Sequence, residues 1–209
     1  MIVWLNGPFG GGKTQVAHEL HRRLPGSVVC DPEQVGYGLH RALPPALRGD
    51  FQDLRAWRSG VVEVLGLADA HRDGAVLVPM TVVEPEYLDQ TVGELRRRGA
   101  DVRHVALLAR PETVRRRLRG RSLGRPLAAA TARTGWAPGE SFALANLDRC
   151  LHRLRGPEFA EHLRTDDLDV PAVAERAARL CGLDLLPPAG PLRRRAQQRW
   201  TALRHVHVR

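Results

Sequence analysis

Residues 7–14 read Gly-Pro-Phe-Gly-Gly-Gly-Lys-Thr, between a short apolar run at 2–6 and a helical pattern that begins near Lys13. Glycines in such a loop let the backbone curl so that successive N–H groups point inward and form an anion nest. The helix that follows adds its N-terminal dipole at the same point. The segment therefore predicts a phosphate-binding loop, which restricts the chain to strand–loop–helix nucleotide-binding folds.

Each position of this loop has an expected role. Lys13 reaches the β- and γ-phosphates of a nucleoside triphosphate, and the Thr14 hydroxyl ligates Mg²⁺. ATP and Mg²⁺ are therefore the expected cofactors. The predicted nucleotide-binding residues are Gly7, Pro8, Phe9, Gly10, Gly11, Gly12, Lys13 and Thr14.

Lys13 stands out in the composition. The chain has 32 Lys and Arg residues, and Lys13 is its single lysine. Arginine therefore serves wherever a general positive charge is enough. A planar guanidinium does not replace a compact ammonium inside a phosphate nest, so the unique lysine supports a catalytic and phosphate-binding role.

The rest of the chain alternates strands with helices, which predicts a parallel sheet covered by helices on both faces. Strands are expected at 2–6, 27–30, 75–80, 102–109 and 159–164, with helices at 13–24, 31–48, 52–72, 84–98, 111–121 and 170–181. We predict one α/β domain, 1–183, followed by a basic tail, 184–209. Residues 121–139 are rich in Gly, Ala and Pro and form either a mobile lid or a long surface loop.

Composition narrows the class and the location. A net charge of +9 is compatible with nucleic acid, but the arginines are scattered along predicted helices and no aromatic-interleaved basic motif is present, so we expect no nucleic-acid partner. The three cysteines are far apart and form no metal-like pair. No signal peptide or membrane-spanning run is visible, which predicts a cytoplasmic protein.

Other nucleotide-binding classes fit less well. A dinucleotide fingerprint starting at Gly10 would place Gln15 where a small residue is needed. A guanine-specific Asn-Lys-x-Asp motif is impossible with one lysine. The strand at 75–80 leads into Thr81 without the expected Walker B aspartate. These absences favour a small kinase-like protein.

Asp31-Pro32-Glu33 follows the second strand, at the edge of the sheet where the phosphate loop also lies. Carboxylates there bind Mg²⁺ or take the proton of an acceptor hydroxyl, which makes Asp31 a candidate base and metal ligand. Alternatively, Asp31 caps the next helix, with Pro32 in its first turn and Gln34 completing a capping box.

Arg117 and Arg121 are four residues apart and share one face of the helix after the fourth strand. Arginine stacks on adenine or clamps phosphate, so this pair is predicted to bind nucleotide and to assist catalysis. A solvated helix face is the alternative in so arginine-rich a segment. Arg149 is a weaker candidate for the same clamp.

Several further segments make the chain resemble the ATP-binding tunicamycin-resistance proteins, which are similar to small P-loop kinases such as shikimate kinase and adenylate kinase. The resemblance covers about 1–155. It rests on Trp4-Leu5-Asn6 with the phosphate loop, Asp31-Pro32-Glu33, Asp50-Phe51-Gln52 with Trp57-Arg58, Val78-Pro79-Met80-Thr81 followed by Pro85-Glu86-Tyr87, and Leu147-Asp148-Arg149-Cys150.

The resemblance implies an adenylate-kinase-like sheet with a lid at 121–139. It also implies a small-molecule pocket for a nucleoside antibiotic with sugar hydroxyls, and it supports Asp31 as the base. The implied substrate-binding residues are Asp31, Glu33, Phe51, Trp57, Arg58 and Thr81.

Three functions remain open at this stage. The first is an ATP-dependent phosphotransferase that acts on tunicamycin or a similar hydroxylated compound. The second is a protein that binds and sequesters such a compound, with ATP required for closure rather than for transfer. The third, a nucleic-acid binder, is disfavoured because no aromatic-interleaved basic motif is present. The tail, with six arginines and scattered apolar residues over 191–209, suits at most a weak contact with an anionic membrane surface.

Overall fold

The computed structural model describes residues 1–122 and 144–188, with the side chains of 120–122 left undescribed. Its centre is a five-stranded sheet in the order β2-β3-β1-β4-β5, and every pair of neighbouring strands is parallel. The strands are β1 (Ile2–Asn6), β2 (Val28–Val29), β3 (Val76–Pro79), β4 (Val102–Leu108) and β5 (His162–Arg164). The predicted parallel α/β fold is confirmed.

Helices connect these strands. The first three are α1 (Lys13–Arg23), α2 (Glu33–Ala42) and α3 (Arg55–Ala70), with short 3₁₀ turns at Pro45–Leu47 and Phe51–Asp53. A π-helical turn, Asp89–Gly93, joins α4 (Pro85–Leu88) to α5 (Glu94–Arg97). The remaining helices of the described chain are α6 (Pro111–Ser122), α7 (Leu147–Arg153) and α8 (Val170–Cys181).

The sheet is covered on both faces because its central strands are apolar on both sides. Val3 and Leu5 of β1 belong to a cluster with residues of α1 and α8, whereas Ile2 and Trp4 belong to a cluster with residues of α3, α4 and α5. All four side chains are completely buried. A continuous apolar strand of this kind requires a parallel sheet between two helical layers.

Helix α8 shows how local sequence sets an element's ends. Its N-cap Asp169 accepts a hydrogen bond from the Ala172 amide at 3.0 Å, and Pro171 lies in the first turn. Gly182 ends the helix in the left-handed conformation with φ 69°. A side-chain cap of this type stabilises a helix by about 1 kcal/mol. The observed bounds of α8 equal the predicted range, 170–181.

The fifth strand is shorter than the range 159–164 predicted for it. A 3₁₀ turn at Pro157–Phe159 precedes it, with Pro157 in its first turn, and the Phe159 side chain is completely buried in the core. Pairing with β4 then starts at His162. The loops that follow the five strands all lie at the carboxyl edge of the sheet, which brings the predicted site residues to one side of the domain.

Candidate active site

The phosphate loop sits at the end of β1 and leads directly into α1. The Lys13 ammonium lies across the loop, where it donates hydrogen bonds to the Gly7 carbonyl at 2.9 Å and the Pro8 carbonyl at 3.1 Å. Its side chain is 8% exposed. The first turn of α1 has no acidic residue, and no side chain caps it. This uncapped amide end beside a buried ammonium fits the triphosphate of a nucleotide.

Two glycines of the loop are required by close packing and by backbone conformation. A Cβ at Gly7, where φ is 151°, would lie 2.8 Å from the Leu107 carbonyl oxygen. A Cβ at Gly10, where φ is 81°, would lie 2.8 Å from the Leu118 side chain on α6. The loop is thus packed against both β4 and α6, and side chains at these positions would displace it.

Asn6 directly precedes the phosphate loop and fixes its first residue through hydrogen bonds. The Asn6 carboxamide oxygen accepts from the Gly7 amide at 2.8 Å and the Val82 amide at 3.0 Å. Its nitrogen donates to the Val82 carbonyl at 2.8 Å and lies 3.2 Å from His104 Nε2. All four bonds are buried, so Asn6 joins the start of the loop to the segments that follow β3 and lie within β4.

His104 accepts from Asn6 only as a neutral imidazole. Burial lowers the pKa of His104 to about 4, although the hydrogen bond with the Ala160 carbonyl acts in the opposite direction. The unfolded chain therefore binds this proton at higher pH than the folded chain. The stability contributed by His104 is fully present above about pH 6.5 and decreases as the pH falls towards 4.

This difference gives a pH-dependent prediction. Between pH 7 and pH 5, protonation of His104 in the unfolded chain should remove about 2 kcal/mol from the free energy of unfolding. The variant His104→Gln supplies an amide oxygen as acceptor in place of the imidazole nitrogen and does not titrate. Urea unfolding at both pH values should therefore show a decrease that is smaller in His104→Gln by about that amount. Equal decreases in the two proteins would contradict a neutral, buried His104.

Next to the phosphate loop lies a cavity of about 300 Å³. Pro8 and Phe9 of the loop form one wall, and Thr81, which follows β3, lies beside them. The Thr81 hydroxyl donates to the Gly7 carbonyl at 2.8 Å, so it also ties this wall to the loop. Helices α2, α4 and α7 and the turn before α3 supply the remaining walls. The cavity therefore adjoins the place where a terminal phosphate would lie.

Phe51 shapes one side of the cavity and is only 4% exposed. Its ring packs edge-on against Tyr37 at 6.2 Å and in a tilted arrangement against Trp57 at 5.5 Å. Gly36 makes room for it, because a Cβ at that position would lie 2.4 Å from the ring. Each aromatic pair adds about 0.5–1.5 kcal/mol beyond its buried area, which keeps this side rigid.

Trp57, predicted to contact the substrate, lies behind this wall instead. Its side chain is completely buried in the core and outside the cavity lining. The indole N–H donates to the Pro32 carbonyl at 3.0 Å, which fixes the turn at the end of β2. The structure therefore gives Trp57 a supporting role for the Asp31-Pro32-Glu33 turn rather than a position in the cavity.

Arg58 is placed similarly. Its guanidinium lies 4.6 Å from the centre of the Tyr87 ring and donates to Gln90 Oε1 at 2.5 Å and to the Gln52 carbonyl. It lies outside the described lining, although Gln52 and Tyr87 are part of it. Arg58 thus braces two cavity walls from outside.

Asp31 and Glu33 occupy different places in the turn. Glu33 lines the cavity and accepts a hydrogen bond from the Tyr37 hydroxyl at 2.8 Å. Asp31 lies outside the described lining, and its Oδ1 accepts from the Glu33 amide at 3.0 Å. One oxygen of Asp31 therefore stabilises the turn that leads into α2, where Pro32 is the N-cap residue and no side chain caps the helix. Glu33 is the carboxylate of this turn that faces the cavity.

Three further carboxyl groups in the cavity, those of Asp50, Asp53 and Glu84, were not predicted. Asp50 Oδ1 accepts from the Gln52 amide at 2.9 Å, and burial raises the pKa of Asp50 while that hydrogen bond lowers it. Asp53 accepts from the Tyr87 hydroxyl at 2.8 Å, which raises the pKa of Tyr87. Asp50 and Tyr87 lie in segments that carried the family resemblance, and that was the one signal in the sequence that could have pointed to them.

Arg117 lies on α6 and is half-buried. Its guanidinium donates to the Thr165 hydroxyl at 3.1 Å and to the Thr165 carbonyl at 2.6 Å, and burial lowers the pKa of Arg117. These bonds connect α6 to the loop after β5, at the carboxyl edge of the sheet. Arg121 lies in the last turn of the same helix, and its side chain is outside the described part of the chain. The pairing of the two arginines remains a prediction.

Helix α7 closes the cavity opposite the turn before α3. Asn146, Leu147 and Cys150 line it together with Arg149, whose guanidinium lies 2.5 Å from Glu84 Oε1. Burial raises the pKa of Cys150 to about 11, and the Lys13 charge opposes that shift. Cys150, which lines the cavity, therefore interacts electrostatically with the lysine of the phosphate loop.

Thr14 and Asp31 remain the predicted Mg²⁺ ligands. Thr14 is half-buried in the first turn of α1. Within residues 1–122 and 144–188 no three His, Cys, Asp or Glu side chains are grouped as a metal site. Magnesium bound with a nucleotide takes most of its ligands from phosphate and water, so one hydroxyl and one nearby carboxylate fit such an ion.

The remaining predicted segments are only partly visible. Apart from residues 121 and 122, the predicted lid at 121–139 lies outside the described residues, and so does the tail beyond 188. In the part of the chain that is described, no helix combines the length and apolar character needed to cross a bilayer.

Comparison with known proteins gives results consistent with this geometry. A family model described as AAA domain matches residues 2–134. The structure of the Deinococcus radiodurans tunicamycin resistance protein is 33% identical in sequence with a TM-score of 0.70, covering 90% of this chain and 99% of that one. No curated protein matches the chain in sequence.

Two kinases share the fold at lower identity. The Bacteroides thetaiotaomicron shikimate kinase is 18% identical with a TM-score of 0.57, and the alignment covers 88% of this chain and 99% of that one. The Mycobacterium tuberculosis APS kinase, in complex with AMPPNP and APS, is also 18% identical, with a TM-score of 0.55. That alignment covers 87% of this chain and 96% of the APS kinase chain. The predicted kinase-like P-loop fold is thereby confirmed.

Proposed function

Because the chain belongs to the AAA-domain family and to the family of the Deinococcus radiodurans tunicamycin resistance protein, we propose that it is an ATP-dependent phosphotransferase. Its acceptor is a hydroxylated small molecule, and tunicamycin or a similar nucleoside antibiotic is the first candidate. The name of the 33%-identical relative supports this choice of acceptor.

The proposal rests on one observation: the phosphate loop and the cavity share a wall. Pro8 and Phe9 belong to the phosphate loop and also line the cavity. Cys150 of α7 also lines the cavity, and the Lys13 charge opposes the rise in the pKa of its thiol. A compound in the cavity and a phosphate in the loop would therefore be neighbours, as direct phosphoryl transfer requires.

The chain's own residues have separate tasks in this proposal. When bound, ATP with Mg²⁺ supplies the phosphoryl group. Lys13 and the amides of the loop hold phosphate oxygens, and Thr14 and Asp31 hold the metal ion. Asp31 also takes the acceptor proton, Glu33 orients the acceptor hydroxyl, and Arg117 and Arg121 contact the nucleotide. Phe51 and Thr81 keep the acceptor against the loop and exclude water.

One observation favours a second candidate, a protein that binds the compound without transferring phosphate. Asp31 is outside the described cavity lining, and one of its oxygens is engaged at the start of α2. If no other group takes the proton, ATP would serve to close the site around the bound compound.

The two functions differ in what happens to the compound. We expect incubation of the protein with ATP, Mg²⁺ and tunicamycin to add one phosphate group, detected as a mass increase of about 80 Da by mass spectrometry. The Lys13→Ala protein is the control, because it lacks the ammonium that holds the phosphates. Tight binding of tunicamycin with no mass change over a panel of hydroxylated compounds would favour the binding protein.

A further inference from the structure

The cavity beside the phosphate loop has a charge opposite to that of the whole chain. The chain carries a net charge of +9. Among the residues that the structure describes, the cavity lining nevertheless contains four carboxyl groups and one guanidinium. The four acidic residues are Glu33, Asp50, Asp53 and Glu84. An acidic lining in a basic protein indicates that this cavity holds its ligand by attraction to carboxylates.

The single positive group in the described lining is already engaged. Arg149 forms an ion pair with Glu84, at 2.5 Å between Nη2 and Oε1, and Arg153 lies 3.6 Å from the other oxygen of Glu84. These bonds direct the Arg149 charge towards Glu84 at the side of the cavity. Three more carboxyl groups, those of Glu33, Asp50 and Asp53, therefore give the described lining an excess of acidic groups.

The hydrogen-bonding character of the cavity agrees with its charge. The Tyr37 hydroxyl donates to Glu33 and the Tyr87 hydroxyl donates to Asp53, each at 2.8 Å. Both phenolic protons are therefore directed at protein carboxylates. Phenol and carboxylate oxygens then face the ligand as acceptors, and they bind groups that carry hydrogen.

Much of the remaining described lining is apolar, although Gln52, Thr81 and Asn146 also belong to it. Phe9, Phe51, Met80, Val83 and Leu147 contribute rings and aliphatic side chains to the same space. A ligand that fills the cavity therefore has an apolar portion next to its polar groups.

We infer that the cavity selects a donor-rich acceptor that has no negative charge and carries an apolar portion, and that amine-bearing compounds bind best. This inference rests on the proposed function, since it takes the cavity as the acceptor site. Hydroxyl and ammonium groups donate to the carboxylates, whereas an acidic acceptor of the same size is repelled by them. Acceptor acids and phosphorylated acceptors are thereby excluded.

Three probes that differ at one carbon test the inference. Phenyl β-D-glucoside, its 6-amino-6-deoxy analogue and phenyl β-D-glucuronide share the same ring and phenyl group, with charges of 0, +1 and −1 at C6. Calorimetric titration in the presence of AMPPNP and Mg²⁺ should show the tightest binding for the amine, weaker binding for the neutral glucoside and the weakest binding for the acid. The acid should bind at least about tenfold more weakly than the neutral glucoside. An acid that binds as tightly as the neutral probe would overturn the inference.

Variants that remove one carboxylate charge test whether the cavity causes this order of affinities. Asp50→Asn keeps an oxygen that accepts from Gln52, and Asp53→Asn keeps one that accepts from Tyr87. Each variant should reduce the ratio of the dissociation constants of the acid and the amine about threefold or more. Asp101→Asn is the matched control, because Asp101 precedes β4 at the opposite edge of the sheet and pairs with Arg103. An equal effect of the Asp101 variant would also overturn the inference.

If none of the three probes binds measurably, the potential can be measured directly. The variant Gln52→Cys places a thiol in the lining. Its rate of modification by a trimethylammonium-ethyl methanethiosulfonate, relative to the sulfonatoethyl reagent, is read by peptide mass spectrometry. This ratio should exceed the same ratio for free cysteine by about tenfold and should fall when Asp50 and Asp53 are both changed to asparagine. A ratio that does not change would reject the inference.

The inference and the proposed function fail in different ways. Charge-ordered binding without phosphorylation of any probe would retain the inference and remove the phosphotransferase. Phosphorylation of the glucuronide as readily as of the glucoside would retain the phosphotransferase and remove the inference.

Discussion

Replacement of Lys13 by alanine is expected to weaken ATP binding by about 10²- to 10³-fold without unfolding the protein. The ammonium is buried and held over the loop by the Gly7 and Pro8 carbonyls, so it is fixed where phosphate oxygens would bind. Thr81 still donates to Gly7 in the variant, which preserves the loop. Calorimetric titration with ATP and Mg²⁺ measures the loss.

Lys13→Arg should also fail, because the guanidinium is broader than the ammonium and cannot enter the nest. Arg22→Ala, a change in the last turn of the same helix, is the control and should leave ATP affinity unchanged. Unchanged affinity in both Lys13 variants would contradict the assignment of residues 7–14 as a phosphate loop. In cells, both Lys13 variants should lose any ATP-dependent resistance.

The second large effect concerns Asp31. If its carboxylate takes the acceptor proton or holds Mg²⁺, Asp31→Asn should lower the rate of phosphate transfer by about 10²- to 10⁴-fold. Binding of the acceptor should change only a few-fold, because this charge is needed more in the transition state than in the ground state. Rapid-quench measurement of transfer together with equilibrium binding separates the two effects.

The adjacent carboxylate provides the comparison. Glu33 lines the cavity, so Glu33→Gln should mainly weaken acceptor binding. Asparagine caps a helix as well as aspartate does, and an Asp31 that only caps α2 would therefore show normal turnover in Asp31→Asn. Normal turnover there, with a large loss in Glu33→Gln, would move the role of base to Glu33.

Where structure depends on local sequence, some observed elements agree with the predicted ones: β1 and α1 lie on either side of residues 7–12, and α8 covers 170–181. The phosphate loop needs glycines at particular places between one strand and one helix, and α8 needs Asp169 and Gly182 at its ends. These requirements involve neighbouring residues and can be recognised without a tertiary structure.

The cavity could be predicted only in outline, because its walls come from distant segments. Tyr37, Asp50, Tyr87 and Asn146 meet only when four separate segments pack together. Burial cannot be read from residue type alone, and for that reason Trp57 was predicted as a ligand contact although it supports the Pro32 turn from the core. The resemblance rests on segments whose residues line the cavity, among them Asp50 and Tyr87, but it did not indicate which side chains within them face it.

The single lysine has a practical consequence for chemical biology. Reagents that acylate side-chain amines can modify this chain at one side chain only, Lys13. That amine lies in the phosphate loop and is 8% exposed. The rate of acylation of the native protein therefore reports the accessibility of the Lys13 amine, without background from other side-chain amines. The same chemistry would deposit a fluorine or isotope label on one defined side-chain atom of the nucleotide site.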